Sequence, residues 1–181
     1  MRIVGGEFSG RKFTPPSNTP ARPTTDMAKE ALFNILDNLI DFEDIKALDL
    51  FAGTGSISYE LASRGAADIT LVERDAGNLT FIKKTAATLG ITDRFSIVRG
   101  DVFKFLQKCT EQYDFIFADP PYALDNIDDI PMLVFEQNLL TPGGIFVQEH
   151  AQRNDYQKHP NFIRMKNYGT TVFTFFKQPS E

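Results

Sequence analysis

The chain has 181 residues, 42% hydrophobic and 24% charged, which fits one ordinary globular domain and excludes a disordered or fibrous chain. Its single cysteine, Cys109, excludes an internal disulfide, and with only His150 and His159 beside it a zinc-finger ligand set cannot be assembled. The net charge is −5, but residues 1 to 30 carry +2 and the other 151 carry −7, so general adhesion to polyanions is excluded while a local basic arm is not.

No apolar run approaches the ~18 residues of a membrane span, and Met1 to Gly6 lack the apolar core of a signal peptide. The expected setting is the reducing cytoplasm, with no membrane partner and no metal, and a monomer is expected for so small a chain. In chain order, Arg2 to Val4 and Arg11 to Thr14 are strand-like and flank Phe8-Ser9-Gly10, which predicts a small hairpin. An extended segment follows, punctuated by Pro15, Pro16, Pro20 and Pro23. Residues 1–23 therefore read as a basic arm, and residues 24–181 as the main domain. Thr25 or Asp26 can cap a helix whose apolar stripe is Met27, Ala28, Ala31, Leu32, Ile35, Leu36 and Leu39.

Beyond residue 45, short apolar runs (Ala47 to Phe51, Ile69 to Val72, Phe95 to Val98, Phe115 to Ala118, Ile145 to Gln148) alternate with amphipathic stretches near 56–64, 76–89, 102–109 and 129–140. Such runs are strands buried on both faces, and repeated right-handed crossovers give an α/β doubly wound sheet. Phe162 to Tyr168 and Thr170 to Phe176 are joined at Gly169 with no room for a helix between them, so they form an antiparallel hairpin.

Two motifs carry chemistry. Asp49-Leu50-Phe51-Ala52-Gly53-Thr54-Gly55 ends the first run and precedes a helix, where glycines let a ligand approach the backbone. Glu73, about 20 positions on, suits the two hydroxyls of a ribose. Ser58 stands where a dinucleotide fingerprint requires its third glycine, and no lysine follows the glycines as in a phosphate-binding loop. Asp49 would repel a phosphate but suits an ammonium group. S-adenosylmethionine has that ammonium, a ribose and no phosphate. Asp101, after the third run, can accept from an adenine amino group. Asp49, Glu73 and Asp101 could instead be helix caps.

The second motif is Asp119-Pro120-Pro121-Tyr122, directly after the fourth run. An amino group on a nucleobase is a poor nucleophile because its lone pair is delocalised into the ring. Acceptors on both its N–H bonds, the Asp119 carboxylate and the Pro120 carbonyl, would hold it pyramidal. The prolines remove backbone donors from that edge, and Tyr122 offers a stacking face worth about 1–3 kcal/mol per base. A DNA adenine-N6 or protein glutamine methyltransferase would use the same geometry, and a binding protein could use the nucleoside pocket without catalysis. His150 and His159 have no metal or nucleophile partner at useful spacing and read as structural.

D-L-F-A-G-T-G and D-P-P-Y together resemble a class I S-adenosylmethionine-dependent amino-methyltransferase. Adding G-G-E-F-S-G-R-K at 5–12, R-P-T-T-D at 22–26 and K-E-A-L-F-N at 29–34, nearly the whole chain resembles the RsmD family, bacterial methyltransferases acting on a guanine N2-amino group of 16S rRNA. The resemblance implies a seven-stranded sheet with the C-terminal hairpin. It also implies a cofactor site of Asp49, Phe51, Gly53, Gly55, Glu73 and Asp101, closed near the methionine end by Arg22, Pro23 and Thr24. Asp119, Pro120 and Tyr122 would hold the guanine, and Arg11, Lys12 and Arg22 would lie along the RNA backbone of the small ribosomal subunit. Asp125, Asp128 and Asp129 depart from that picture, because they would repel phosphate.

Overall fold

The structure is a computed structural model and describes residues 1–18 and 24–181. Its seven strands are β1 (Lys46–Leu50), β2 (Asp68–Glu73), β3 (Phe95–Arg99), β4 (Tyr113–Ala118), β5 (Leu140–His150), β6 (Phe162–Tyr168) and β7 (Thr171–Lys177). They form one sheet in the order 3-2-1-4-5-7-6, parallel except for β7, which is antiparallel to both its neighbours. The helices are α1 (Asp26–Leu36), α2 (Ser56–Ser63), α3 (Ala76–Leu89), α4 (Val102–Lys108) and α5 (Asp129–Glu136). The predicted alternation and the C-terminal hairpin are both present, with Gly169 in the left-handed region at φ 63° in the turn.

Strand alternation divides the core into two layers. Ala47, Ile69, Leu71, Phe115 and Phe117 pack with α1, α2 and α3, whereas Leu48, Leu50, Val72, Ile116 and Ala118 pack with α4 and α5. Sheet order reverses between β1 and β4, so a crevice opens at the carboxyl ends of those strands. Predicted boundaries shift where the backbone must turn. The first strand stops at Leu50 because Phe51 takes φ 58°, and α5 stops at Glu136, two residues before Asn138 at φ 55°.

The helix α1 is capped by Thr25, whose hydroxyl accepts from the amide of Ala28 at 3.1 Å. Its buried face is rotated from the predicted stripe: Met27 is 68% exposed and Leu39 is exposed, while Lys29 and Phe33 are buried. The cause is the N-terminal segment together with α2, which supply polar partners on that face. Lys29 Nζ donates to the carbonyl of Arg2 at 2.6 Å and to Ser56 Oγ at 3.1 Å, and lies 3.6 Å from Glu60 Oε1. Burial holds its pKa below the ordinary lysine value, against the opposing pull of Glu60.

Residues 1–18 are thereby docked onto the helical layer. The hairpin is a single bridge between Arg2 and Lys12, supported by Ile3 N donating to Arg11 O at 2.9 Å, and Ile3 is fully buried. The amides of Val4 and Gly5 both donate to the Glu60 carboxylate, at 2.9 and 2.8 Å. Gly6 has φ 76°, and a Cβ there would lie 2.0 Å from the carbonyl oxygen of Ser63, so only glycine allows this approach.

Candidate active site

A cavity of about 770 Å³ occupies the crevice at the carboxyl edge of the sheet. Among the described residues it carries five acidic side chains, Glu73, Asp75, Asp101, Asp119 and Glu149, against one basic, Arg74. Both sequence motifs reach it, Phe51 and Gly53 from the glycine loop and Asp119 to Tyr122 from the turn after β4.

Glu73 ends β2 and organises the glycine-loop side. Its Oε1 accepts from the amide of Gly53 at 3.1 Å; its Oε2 accepts from the amide of Asp75 at 3.0 Å and from Asn78 Nδ2 at 3.2 Å. The Gly53 amide, which could otherwise face a phosphate, is therefore committed to a carboxylate. Asp101 lines the cavity and also caps α4, accepting from the Lys104 amide at 3.0 Å, so the capping and ligand-facing readings hold together at one residue. Phe51, Val72 and Phe103 supply apolar wall, with the two rings edge to face at 6.4 Å.

Asp49, Gly55 and Thr24 are not among the lining residues. Asp49 is buried, takes the Ser58 hydroxyl at 2.7 Å, and burial pushes its carboxyl pKa up to about 7. Gly55 is a packing position: its φ is 89° and a Cβ would meet the Tyr59 hydroxyl at 2.6 Å. The hydroxyl of Thr24 donates to Glu149 Oε1 at 3.0 Å, which places the chain entering α1 beside the D-P-P-Y turn.

That turn is held firmly. The amide of Asp119 donates to the Leu50 carbonyl at 3.3 Å, joining the two motifs, and the Tyr122 carbonyl accepts from the Arg153 guanidinium. The Tyr122 hydroxyl donates to Glu149 Oε2 at 2.8 Å and lies 3.2 Å from Thr171 Oγ1. Burial first, then the charges of Glu149 and Asp119, raise the phenol pKa, so the hydroxyl stays a donor. Arg11 and Lys12 lie away from the cavity on the exposed hairpin, with the Arg11 guanidinium 5.8 Å above the Phe13 ring. Arg22 and Pro23 lie outside the described residues. In the acidic stretch, Asp128 Oδ1 accepts from the Tyr156 hydroxyl at 2.8 Å, which ties the loop after the motif to the segment after β5.

Sequence reasoning missed Glu149. It is the penultimate residue of β5, at the same edge of the sheet, and applying the carboxyl-edge rule to that strand as it was applied to the others would have found it. His150, beside it, is structural as expected: buried, bonded to Thr174 Oγ1 at 2.7 Å and to the Ala151 carbonyl at 2.8 Å.

The donor set fits S-adenosylmethionine. The Glu73 carboxylate suits ribose hydroxyls, acidic groups suit a sulfonium and an ammonium, aromatic and aliphatic wall suits adenine, and the volume lies in the ordinary range for a cofactor of that size. Fold and site together define a class I S-adenosylmethionine-dependent methyltransferase.

The family described as Conserved hypothetical protein 95 matches residues 1–177. The chain belongs to that family, the RsmD family. Ribosomal RNA small subunit methyltransferase D of Escherichia coli K12 is 29% identical, with 100% of this chain and 91% of that protein covered. Among solved structures, a hypothetical protein of Thermus thermophilus superposes with a TM-score of 0.83 at 27% identity, covering 97% of this chain and 98% of the other. An RNA methyltransferase of Salinibacter ruber in complex with S-adenosyl-L-homocysteine shares the fold at 20% identity, TM-score 0.67, covering 88% and 95%.

Proposed function

We propose that the protein methylates the exocyclic N2-amino group of one guanine in 16S rRNA, acting on an assembled or assembling small ribosomal subunit. The observation that carries this reading is the placement of Asp119, Pro120 and Tyr122 in one cavity with Glu73 and Gly53, so that an amine held by the first group faces a cofactor held by the second. Bound S-adenosylmethionine supplies an electrophilic methyl group and a neutral thioether leaving group. Asp119 accepts one N2–H and the Pro120 carbonyl the other, which localises the nitrogen lone pair and aims it. As the new N–C bond forms, the amine loses a proton from the bond facing Asp119, to that carboxylate or through it to water. Tyr122, anchored through its hydroxyl to Glu149, presents its ring to the extracted base, because the amine is not reachable inside a helix. The name of the Escherichia coli relative supports ribosomal RNA as the substrate class.

Residues 1–23 are proposed as the RNA-facing arm, with Arg11, Lys12 and Arg22 on phosphates; the monomeric state and cytoplasmic location belong to the same reading. Phosphate contacts of this kind make binding weaken steeply with salt. The test is incubation with tritiated S-adenosylmethionine and, in parallel, small subunits lacking their N2-methylguanines, naked 16S rRNA and duplex DNA, followed by digestion and identification of the labelled nucleoside. Label as N2-methylguanosine from subunits is expected. Label as N6-methyladenine in DNA, or none in any nucleic acid, would overturn the substrate.

A further inference from the structure

Glu149 is a cavity-lining carboxylate whose part in the methyl-transfer geometry so far is only to anchor Tyr122. It is only 4% exposed, and both its oxygens are oriented by side-chain hydroxyls: Oε1 by Thr24 at 3.0 Å and Oε2 by Tyr122 at 2.8 Å. Among the described residues, no lysine or arginine pairs with it. A carboxylate has about four lone-pair directions, so two remain for a ligand, and a buried acceptor with only neutral partners is costly unless a ligand completes it. Its one fixed neighbour on the substrate side is Tyr122, so the ligand in question is the base.

We infer that Glu149 selects guanine, by accepting the N1–H of the extracted base next to the N2-amino group held at Asp119. Guanine carries adjacent donors at N1 and N2 on its Watson–Crick edge, whereas adenine and 2-aminopurine carry a bare acceptor at N1, which would point its lone pair at the carboxylate. A site built to accept a substrate N–H rejects analogues lacking it far more strongly than an apolar pocket rejects a change of size. Thr24 is then a positioning residue, and Tyr122, besides its ring contact with the base, helps to aim the carboxylate. This inference rests on the guanine-N2 reading above and adds how the base is chosen.

The test uses small subunits reconstituted with 16S rRNA carrying either guanine or 2-aminopurine at the nucleotide the wild-type protein labels. Both bases have the C2 amino group, so both can in principle be methylated. Wild type is expected to prefer guanine by at least about 100-fold in kcat/KM. Glu149→Gln places an amide that can donate to a bare N1, and should bring the preference to within about 10-fold while lowering the rate on guanine. A residue that served only the fold would lower both rates together and leave the ratio intact, and that result would overturn the inference. Because the wild-type ratio needs no variant, a wild type that methylates both bases equally would overturn it even if Glu149→Gln failed to fold. If the wild type labels no guanine at all, the substrate reading has failed first, and the two failures are thereby distinguished.

Discussion

Glu60 under the N-terminal segment and Glu149 at the cavity are both buried carboxylates, 0% and 4% exposed, and they differ in who their partners are. Glu60 is met by two cations of the chain itself, Lys29 at 3.6 Å and Arg64 at 3.0 Å, and by two backbone amides. Glu149 is met by two hydroxyls, and Glu73 by two amides and a carboxamide. Where the protein supplies the counter-charge, the carboxylate is finished, and it holds elements together. Where it supplies only neutral donors, orientation is fixed but charge is not neutralised, and a cationic or N–H-bearing ligand is the natural complement.

Substitutions in the two regions should therefore fail in different ways. The largest effect is expected at Asp119: Asp119→Ala should lower single-turnover methyl transfer by about 10²–10³-fold, as removal of one preorganised group does elsewhere. Its affinity for S-adenosylmethionine, followed by calorimetry, should remain close to wild type, and a comparable loss of affinity would place Asp119 on the cofactor instead. Next, Lys29→Met leaves Glu60 buried with one cation removed, and should cost about 3 kcal/mol in denaturant unfolding. Little change there would mean that Arg64 and the amides suffice for Glu60. Glu73→Gln reverses the pattern, weakening cofactor binding by about 10-fold or more for a charged hydrogen bond lost, with unfolding midpoints nearly unmoved.

The remaining effect is a slope in pH rather than a single loss. Asp49 has its pKa raised from 3.8 to about 7 by burial, so between those values the folded state holds a proton that the unfolded chain has released. Stability contributed by the neutral carboxyl is complete below about pH 4 and declines as the pH rises through about 7. Asp49→Asn should flatten that part of the stability profile, and a profile identical to wild type would assign the slope to another group.

Much of this was readable in the sequence because strands of a parallel sheet are continuous apolar runs and the two motifs sit at their ends. The predicted crossovers, the hairpin at Gly169 and the meeting of Glu73 with Asp119 all follow from that periodicity. What the pattern concealed was polar burial. Periodicity counts Lys29 as a solvent residue, and only the Arg2 carbonyl, Ser56 and Glu60, distant in sequence, make its burial reasonable. Met27, by the same pattern, belongs to the core and is 68% exposed. Asp49 lies on the predicted strand, but its immediate partner is Ser58, a residue notable in the sequence only for not being glycine.

The position of β7 between β5 and β6 has a consequence for synthesis on the ribosome. A strand made after β6 fills the interior of the sheet, so until it emerges the edge of β5 stands open, a template for pairing with other chains. Thr171, which touches the Tyr122 hydroxyl, arrives on that same strand. The hydroxyl contact that steadies Tyr122 is thus completed late in translation, and a nascent chain holding both sequence motifs still lacks that support.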